Sequence, residues 1–326
     1  MVPADAPSAA VGLDLGGTKL AAMLVSSAGE VLARASAATP ADDVSAIMEA
    51  VYGLIDEVSA GAGPRAVGVG AAGMVDFAAG VMRWAPNIAW RDLPMRRLIE
   101  DRTGLPTLVD NDANAAAWGE YRFGAARGYE HALLVTVGTG IGGGIIAGGE
   151  LFRGAHGFGA EIGHFIVEPG GPECGCGNRG CWEQVASGRS IDRLAAATAP
   201  GSAIRRSAGD ATPTGRDVSR AAAEGDEEAI GILETVGRRL GQGIAGLVNV
   251  LDPEAVVVGG GVADVGDLLL VPAERAFRDA VEAPEHRPEV PIIRAELGND
   301  AGAIGAAMLA LESIGVPTAR PEGGSS

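Results

Sequence analysis

Cysteine is nearly absent from this chain. Its three copies in 326 residues all fall within Cys174 to Cys181. An odd, tightly spaced set argues against a disulfide framework. Basic charge is also short. The chain has 25 Lys and Arg against 42 Asp and Glu, a formal net charge of −17. Such a surface repels phosphate backbones and anionic lipids, which argues against nucleic-acid and membrane partners. Nucleotides remain open, because local loops hold them. The N-terminal MVPADAPSAA has no basic region and no apolar region, so no signal peptide is expected. Residues 132–149 carry no charge, but they are rich in Gly and include Thr136 and Thr139. That run is expected to be soluble β-structure rather than a membrane span. These absences together predict a cytoplasmic protein.

What is present suits a soluble globular protein. Apolar residues make up 47% and charged residues 21%, so the core needs no staples. The length suggests two domains. The tails, 1–9 and about 317–326, are rich in Pro, Ala, Gly and Ser and read as disordered. Val11–Val25 reads as two strands around a Gly-Gly-Thr turn. Val44–Val58 has the apolar spacing of a helix. Buried strands are predicted at Ala66–Val69, Thr107–Val109 and Ala255–Val258. Leu133–Val137 and Gly144–Ile146 form a second strand–glycine turn–strand unit. Helices are predicted at Asn114–Tyr121, over much of 190–246, and at Asp300–Ile314. GLDLGGTKLAAMLV and VTVGTGIGGGII superpose with Gly16 on Gly138. They are either two unrelated hairpins or the two halves of a duplicated domain.

Gly12–Lys19 nearly fits the P-loop pattern, but Thr18 stands where the lysine belongs, and a strand follows rather than a helix. Gly138–Gly143 fits G-x-G-x-x-G, yet no helix follows to receive a pyrophosphate. Glycine turns between strands can still bind phosphate through converging backbone N–H groups. Thr18 and Thr139 add hydroxyls. Asp14 could hold Mg²⁺ directly or through water, or simply cap the turn.

Asn111-Asp112 lies between a predicted buried strand and a helix. Strand ends of this kind carry active groups in α/β folds, but Asn and Asp also cap helices there. Asp112 is suited to taking a hydroxyl proton while Asn111 orients the acceptor. His164, Cys174, Cys176 and Cys181 offer one imidazole and three thiols, a set that zinc accepts in structural sites. The C-x-C spacing is tighter than the usual C-x₂-C, so reduced free thiols remain an alternative. Gly175, Gly177 and Gly180 would let the loop wrap a metal. Glu161 and Glu183 flank it and could bind a polyhydroxylated substrate. His131, His156 and His286 read as surface or packing residues.

The motifs DLGGTK (14–19), NDANAAAWGE (111–120), VTVGTGIGGG (135–144), GAEIGH (159–164) and CGCGNRGCWE (174–183) occur in this order. With them the chain resembles the ROK family of sugar kinases and sugar-responsive repressors, from about residue 11 to 314. Within that family it is most similar to the bacterial ATP-dependent glucokinases. The resemblance implies an actin-like, ribonuclease H-like α/β ATPase fold, with two domains flanking a cleft. Expected boundaries are 1–113, completed by about 303–318, and 114–302 with a zinc loop at 164–181; 319–326 remains as a tail.

The resemblance implies a reaction and its residues. Asp112 would be the general base. Asn87, Asn111, Asp112 itself, Glu161, His164 and Glu183 would contact the sugar. Asp14, Gly16, Gly17, Thr18, Lys19, Gly138, Thr139 and Gly140 would serve MgATP, with Gly259, Gly260 and Gly261 near the adenosine. Zn²⁺ would be held by His164, Cys174, Cys176 and Cys181. Only 13 residues precede Asp14, so the DNA-binding segment of family repressors is not expected. Many relatives have Glu where Asp110 stands, a change expected to have no functional consequence. The cysteine cluster favours ATP over polyphosphate as donor. A homodimer or homotetramer is implied. The alternatives are a kinase for another hexose or N-acyl-hexosamine, and a non-catalytic sugar sensor.

Overall fold

The computed structural model describes residues 8–85 and 88–318. The chain opens with β1 (Ala9–Leu15), β2 (Lys19–Ser26), β3 (Val31–Ala38), α1 (Val44–Val58) and β4 (Val67–Ala71). It continues with β5 (Met74–Asp76), β6 (Val81–Trp84), β7 (Arg91–Leu93), α2 (Met95–Thr103), β8 (Thr107–Asn111) and α3 (Asp112–Phe123). Next come β9 (Ala132–Val137), β10 (Ile141–Ala147), β11 (Glu150–Leu151), α4 (Glu183–Ala186) and α5 (Gly188–Ala196). The remainder is α6 (Ala203–Ala208), α7 (Gly215–Ala223), α8 (Glu227–Leu251), β12 (Ala255–Gly259), α9 (Asp267–Ala280), β13 (Ile292–Arg294) and α10 (Ala301–Ser313).

Two five-stranded sheets share one plan. Their orders are β3-β2-β1-β4-β8 and β11-β10-β9-β12-β13. Strand for strand, the β1/β2 hairpin corresponds to β9/β10, and β4 and β8 correspond to β12 and β13. The first hairpin is antiparallel, whereas β1–β4, β4–β8 and β12–β13 run parallel. The glycine turns at Gly16 and Gly138 thus occupy equivalent corners, as a duplicated domain requires. A third sheet, β5-β6-β7, is a short antiparallel meander.

Burial explains the strand patterns. β4 and β12 are buried at every residue, as parallel strands covered on both faces must be. β3 lies at a sheet edge and alternates half-buried with exposed positions. In α1, Ile47, Met48, Val51, Leu54, Ile55 and Val58 form one buried stripe, and the Asp43 carboxylate caps the N-terminus. α10 is buried from Ala301 to Leu311. It lies so close to the first sheet that the facing positions on β1 and β4 are Gly12 and Gly68, with no room for a Cβ.

The described chain divides into two compact units. One comprises the residues up to Leu134, Gly143–Ala160 and those from Ala295 on; the other comprises Val135–Gly142 and Glu161–Arg294. The uncharged run 132–149 forms β9 and β10. Among the described residues no helix is long and apolar enough to cross a membrane.

Candidate active site

In the first unit, β1 and β8 both pair in parallel with β4, and their C-terminal ends lie together. Asp14 is in register with Gly70, and Asn111 with the next residue, Ala71. After Leu15 the chain turns through Gly16, Gly17 and Thr18. The Thr39 hydroxyl donates to the Gly16 carbonyl at 2.7 Å, and the Thr39 N–H donates to the Thr18 carbonyl at 3.1 Å. These bonds fix the turn while Gly17, Thr18 and Lys19 stay exposed. An exposed glycine turn held this way is a suitable phosphate seat.

Two carboxylates stand beside it. Asp14 is half-buried by area, but protein atoms crowd its carboxyl. Burial pushes its pKa up to about 7; the charge of Asp112 adds to the rise and Lys19 opposes it. Asp112 opens α3. Burial also holds its carboxyl above the usual range, against the lowering effect of the Ala113 N–H bound at 2.9 Å. Carboxylates that repel each other favour a proton or a cation between them. This electrostatic setting fits Mg²⁺, which Asp14 would hold directly or through water.

The capping reading holds for Asn111. Its Oδ1 accepts the N–H groups of Ala113 and Asn114 at 2.9 and 3.1 Å, and its Nδ2 donates to the Gly73 carbonyl at 3.3 Å. Asn87 lies outside the described residues.

In the second unit the Gly138-Thr139-Gly140 turn is braced in a similar way. The Gly188 N–H donates to the Gly138 carbonyl at 2.8 Å, and the Ser187 hydroxyl donates to the Thr139 carbonyl at 3.0 Å. Gly259, Gly260 and Gly261 end β12 beside this turn. Gly260 packs on the Val137 backbone, and the Val262 N–H donates to the Val137 carbonyl at 2.9 Å. Gly140 faces Glu183 so closely that a Cβ there would strike Glu183 Oε2.

The thiols and the imidazole converge in the same unit. The donor atoms of His164, Cys174, Cys176 and Cys181 lie within 4.8 Å of one another. Cys174 Sγ is 3.6 Å from His164 Nδ1, and Cys176 Sγ is 3.6 Å from Cys181 Sγ. Tetrahedral zinc with bonds of about 2.3 Å to sulfur sets its ligands roughly 3.8 Å apart, so the set fits the metal. All three cysteines are free. Gly177 and Gly180 have φ of 93° and 76°, and at Gly180 a Cβ would meet the Glu168 carbonyl. Gly175 is not in that left-handed region, so two of the three glycines of this loop bend it. Buried Trp182 anchors the loop by donating from Nε1 to the Arg239 carbonyl at 3.0 Å.

Around the metal set, His164 directs Nδ1 at the thiols and has Nε2 3.9 Å from the Glu161 carboxylate. Glu183 Oε1 accepts from the Cys174 thiol at 3.1 Å and from Gln184 Nε2 at 3.0 Å. Among the other histidines, 131, 156 and 286 are exposed.

One pair escapes sequence reasoning. Asp110 is 1% exposed, and its Oδ2 accepts from Arg153 Nε at 2.7 Å. The signal available was a charged residue in the otherwise apolar strand TLVDN. Such a residue needs a partner, and spacing cannot name it.

The ROK family model matches residues 10–313. The glucokinase of Streptomyces coelicolor is 43% identical over 309 residues, 93% of this chain and 97% of that one. A ROK glucokinase from Streptomyces griseus, solved with glucose and AMPPNP, superposes with a TM-score of 0.86 at 44% identity, covering 94% of this chain and 100% of that one. The ROK hexokinase of Thermus thermophilus gives 0.76 at 39% identity, over 94% and 99%. The fold is therefore the actin-like ATPase fold, with the shared strand order of the two sheets as its mark. Likeness in both sequence and backbone, carried through almost the whole described chain, places this protein in the ROK family.

Proposed function

We propose that the protein is an ATP-dependent glucokinase, transferring the γ-phosphoryl group of MgATP to the 6-hydroxyl of D-glucose. The observation that carries this reading is the full-length likeness to glucokinases, above all to the one solved with glucose and AMPPNP. The glucose 6-oxygen forms a bond to the γ-phosphorus, and the bond from that phosphorus to the bridging oxygen of ADP breaks. Asp112 takes the hydroxyl proton. Burial holds its carboxyl above the usual range, which makes it a stronger base than a free carboxylate. Little covalent work remains for the protein, so alignment and charge placement supply most of the rate.

Asn87, Asn111, Glu161, His164 and Glu183 are assigned to the sugar hydroxyls. The turns at Gly16–Thr18 and Gly138–Gly140 are assigned to the phosphates, and Gly259–Gly261 to the adenosine side. Mg²⁺, when bound, neutralises phosphate charge. His164, Cys174, Cys176 and Cys181 hold Zn²⁺ in a structural role that fixes the loop bearing Glu183. A cytoplasmic homodimer or homotetramer belongs to the same reading on family likeness, and sedimentation velocity tests the assembly.

The deciding experiment is ADP release from MgATP with glucose, mannose, fructose, glucosamine, N-acetylglucosamine and N-acetylmannosamine in parallel. Fastest turnover with glucose supports the reading. Preference for another sugar keeps the reaction and replaces the substrate. No turnover with any of them, in zinc-loaded protein, sinks the kinase reading.

A further inference from the structure

We propose that Arg153 is a positioning residue for phosphoryl transfer: through the buried carboxylate of Asp110 it holds the β8–α3 corner on which Asp112 stands. The proposal rests on the reading of Asp112 as the base.

A carboxylate as deeply buried as Asp110 persists only if its charge is offset. Arg153 supplies the offsetting charge, Nε to Oδ2, at 2.7 Å. Its guanidinium is fixed in turn by stacking 4.1 Å from the centre of the Phe77 ring. The other carboxylate oxygen, Oδ1, accepts the Asn111 N–H at 2.8 Å and Asn114 Nδ2 at 3.0 Å. Those donors bracket Asp112 in the chain. Asn114 turns its amide toward Asp110 even though its own Oδ1 is left buried without a partner. A shift of Asp110 therefore moves the Asn111 backbone, the helix cap it makes, and Asp112 with them.

Arg153 also acts through its backbone. Its carbonyl accepts the Gly159 N–H at 2.9 Å, closing the loop that leads into Glu161 and His164. One residue thus anchors the base corner and the start of the sugar-binding segment.

The test compares wild type, R153M, D110N and the double variant D110N/R153M as full-length proteins. For each, kcat, KM for glucose, KM for MgATP and melting temperature are measured. R153M should lower kcat about 10²-fold, as a displacement of roughly 1 Å can do, with KM for MgATP nearly unchanged. It should also melt earlier, because the buried Asp110 carboxylate loses the cation that offsets it. D110N/R153M buries no charge, so it should recover the melting temperature while kcat stays on the order of tenfold or more below wild type. Recovery of kcat together with stability in the double variant would make the pair merely structural and overturn the proposal. Wild-type kcat in R153M would overturn it as well. A wild type that does not phosphorylate glucose would instead remove the glucokinase reading, and this inference with it.

Discussion

Glu183 joins the thiol cluster to the glycine turn of its unit. Its Oε1 lies 3.1 Å from Cys174 Sγ, and its Oε2 fills the space beside Gly140 that a Cβ would take. Glu183 follows Cys181 by two residues, so it moves with the cysteine loop.

Removing the metal should therefore be felt by the sugar. Purified protein is expected to carry about one zinc per chain, and Cys176→Ser should lose it. With the loop released, Glu183 and His164 are no longer held, and KM for glucose should rise about tenfold or more. Plasma mass spectrometry for zinc, run beside the kinetics, checks both halves. A metal-free wild type with normal glucose affinity would defeat the argument.

Asp112→Asn keeps the shape of the α3 start and removes the proton acceptor. Turnover should fall about 10²–10⁴-fold. Glucose affinity should change little, since the other assigned sugar contacts remain. Initial-rate kinetics and equilibrium glucose binding separate the two effects. Near-normal kcat in this variant would assign the base elsewhere.

The raised pKa of Asp14 has a consequence for stability. Folded, the group titrates at about 7; unfolded, it returns to its ordinary value of 3.8. Between these values the folded chain holds a proton that the unfolded chain has released. Its contribution to stability therefore falls as pH rises from about 4 to about 7. Asp14→Asn removes the titration, so the variant should gain on the wild type as pH rises through that window. Melting curves without added Mg²⁺, from about pH 5 to about pH 8, test the sign. An identical pH slope in both proteins would contradict it.

Much of this architecture could be read from local pattern, because each legible element carries its own signal. α1 spans the Val44–Val58 predicted from apolar spacing, and β1, β4, β8, β9 and β12 are compact apolar runs. The elements that escaped lack such signals. β3, VLARASAA, has few large apolar side chains, and β5, β6 and β7 have only three or four residues each. α9 contains Pro272, whose missing N–H argues for a break. The helix survives there through packing: Gly237 of α8 admits Leu269 and Pro272. The site follows the same rule. The glycine turns, the Asn111-Asp112 corner and the cysteine loop are contiguous motifs. The Asp110–Arg153 pair spans 43 positions and exists only through the fold.

Lys19 is the one lysine in the chain; every other member of its 25 Lys and Arg is arginine. Wherever a general cation serves, this sequence uses guanidinium, so position 19 stands apart. Lysine presents a compact point charge, arginine a broad planar fork. The geometry suggests why the difference matters. Lys19 opens β2 next to the exposed Gly17 and Thr18, on the same sheet face as Ala21, which pairs with Asp14. It is close enough to pull the Asp14 pKa down. Lys19→Arg keeps the charge but should raise KM for MgATP and lower kcat, each by about tenfold, nearly as far as Lys19→Met. An amine-acylating reagent offers a second check, since Lys19 is the sole side-chain amine. Acylation at Lys19, located by peptide mass mapping, should inactivate the enzyme, and MgATP should protect it. Full activity in Lys19→Arg, or in fully acylated protein, would mean that no specific ammonium is needed beside the phosphates.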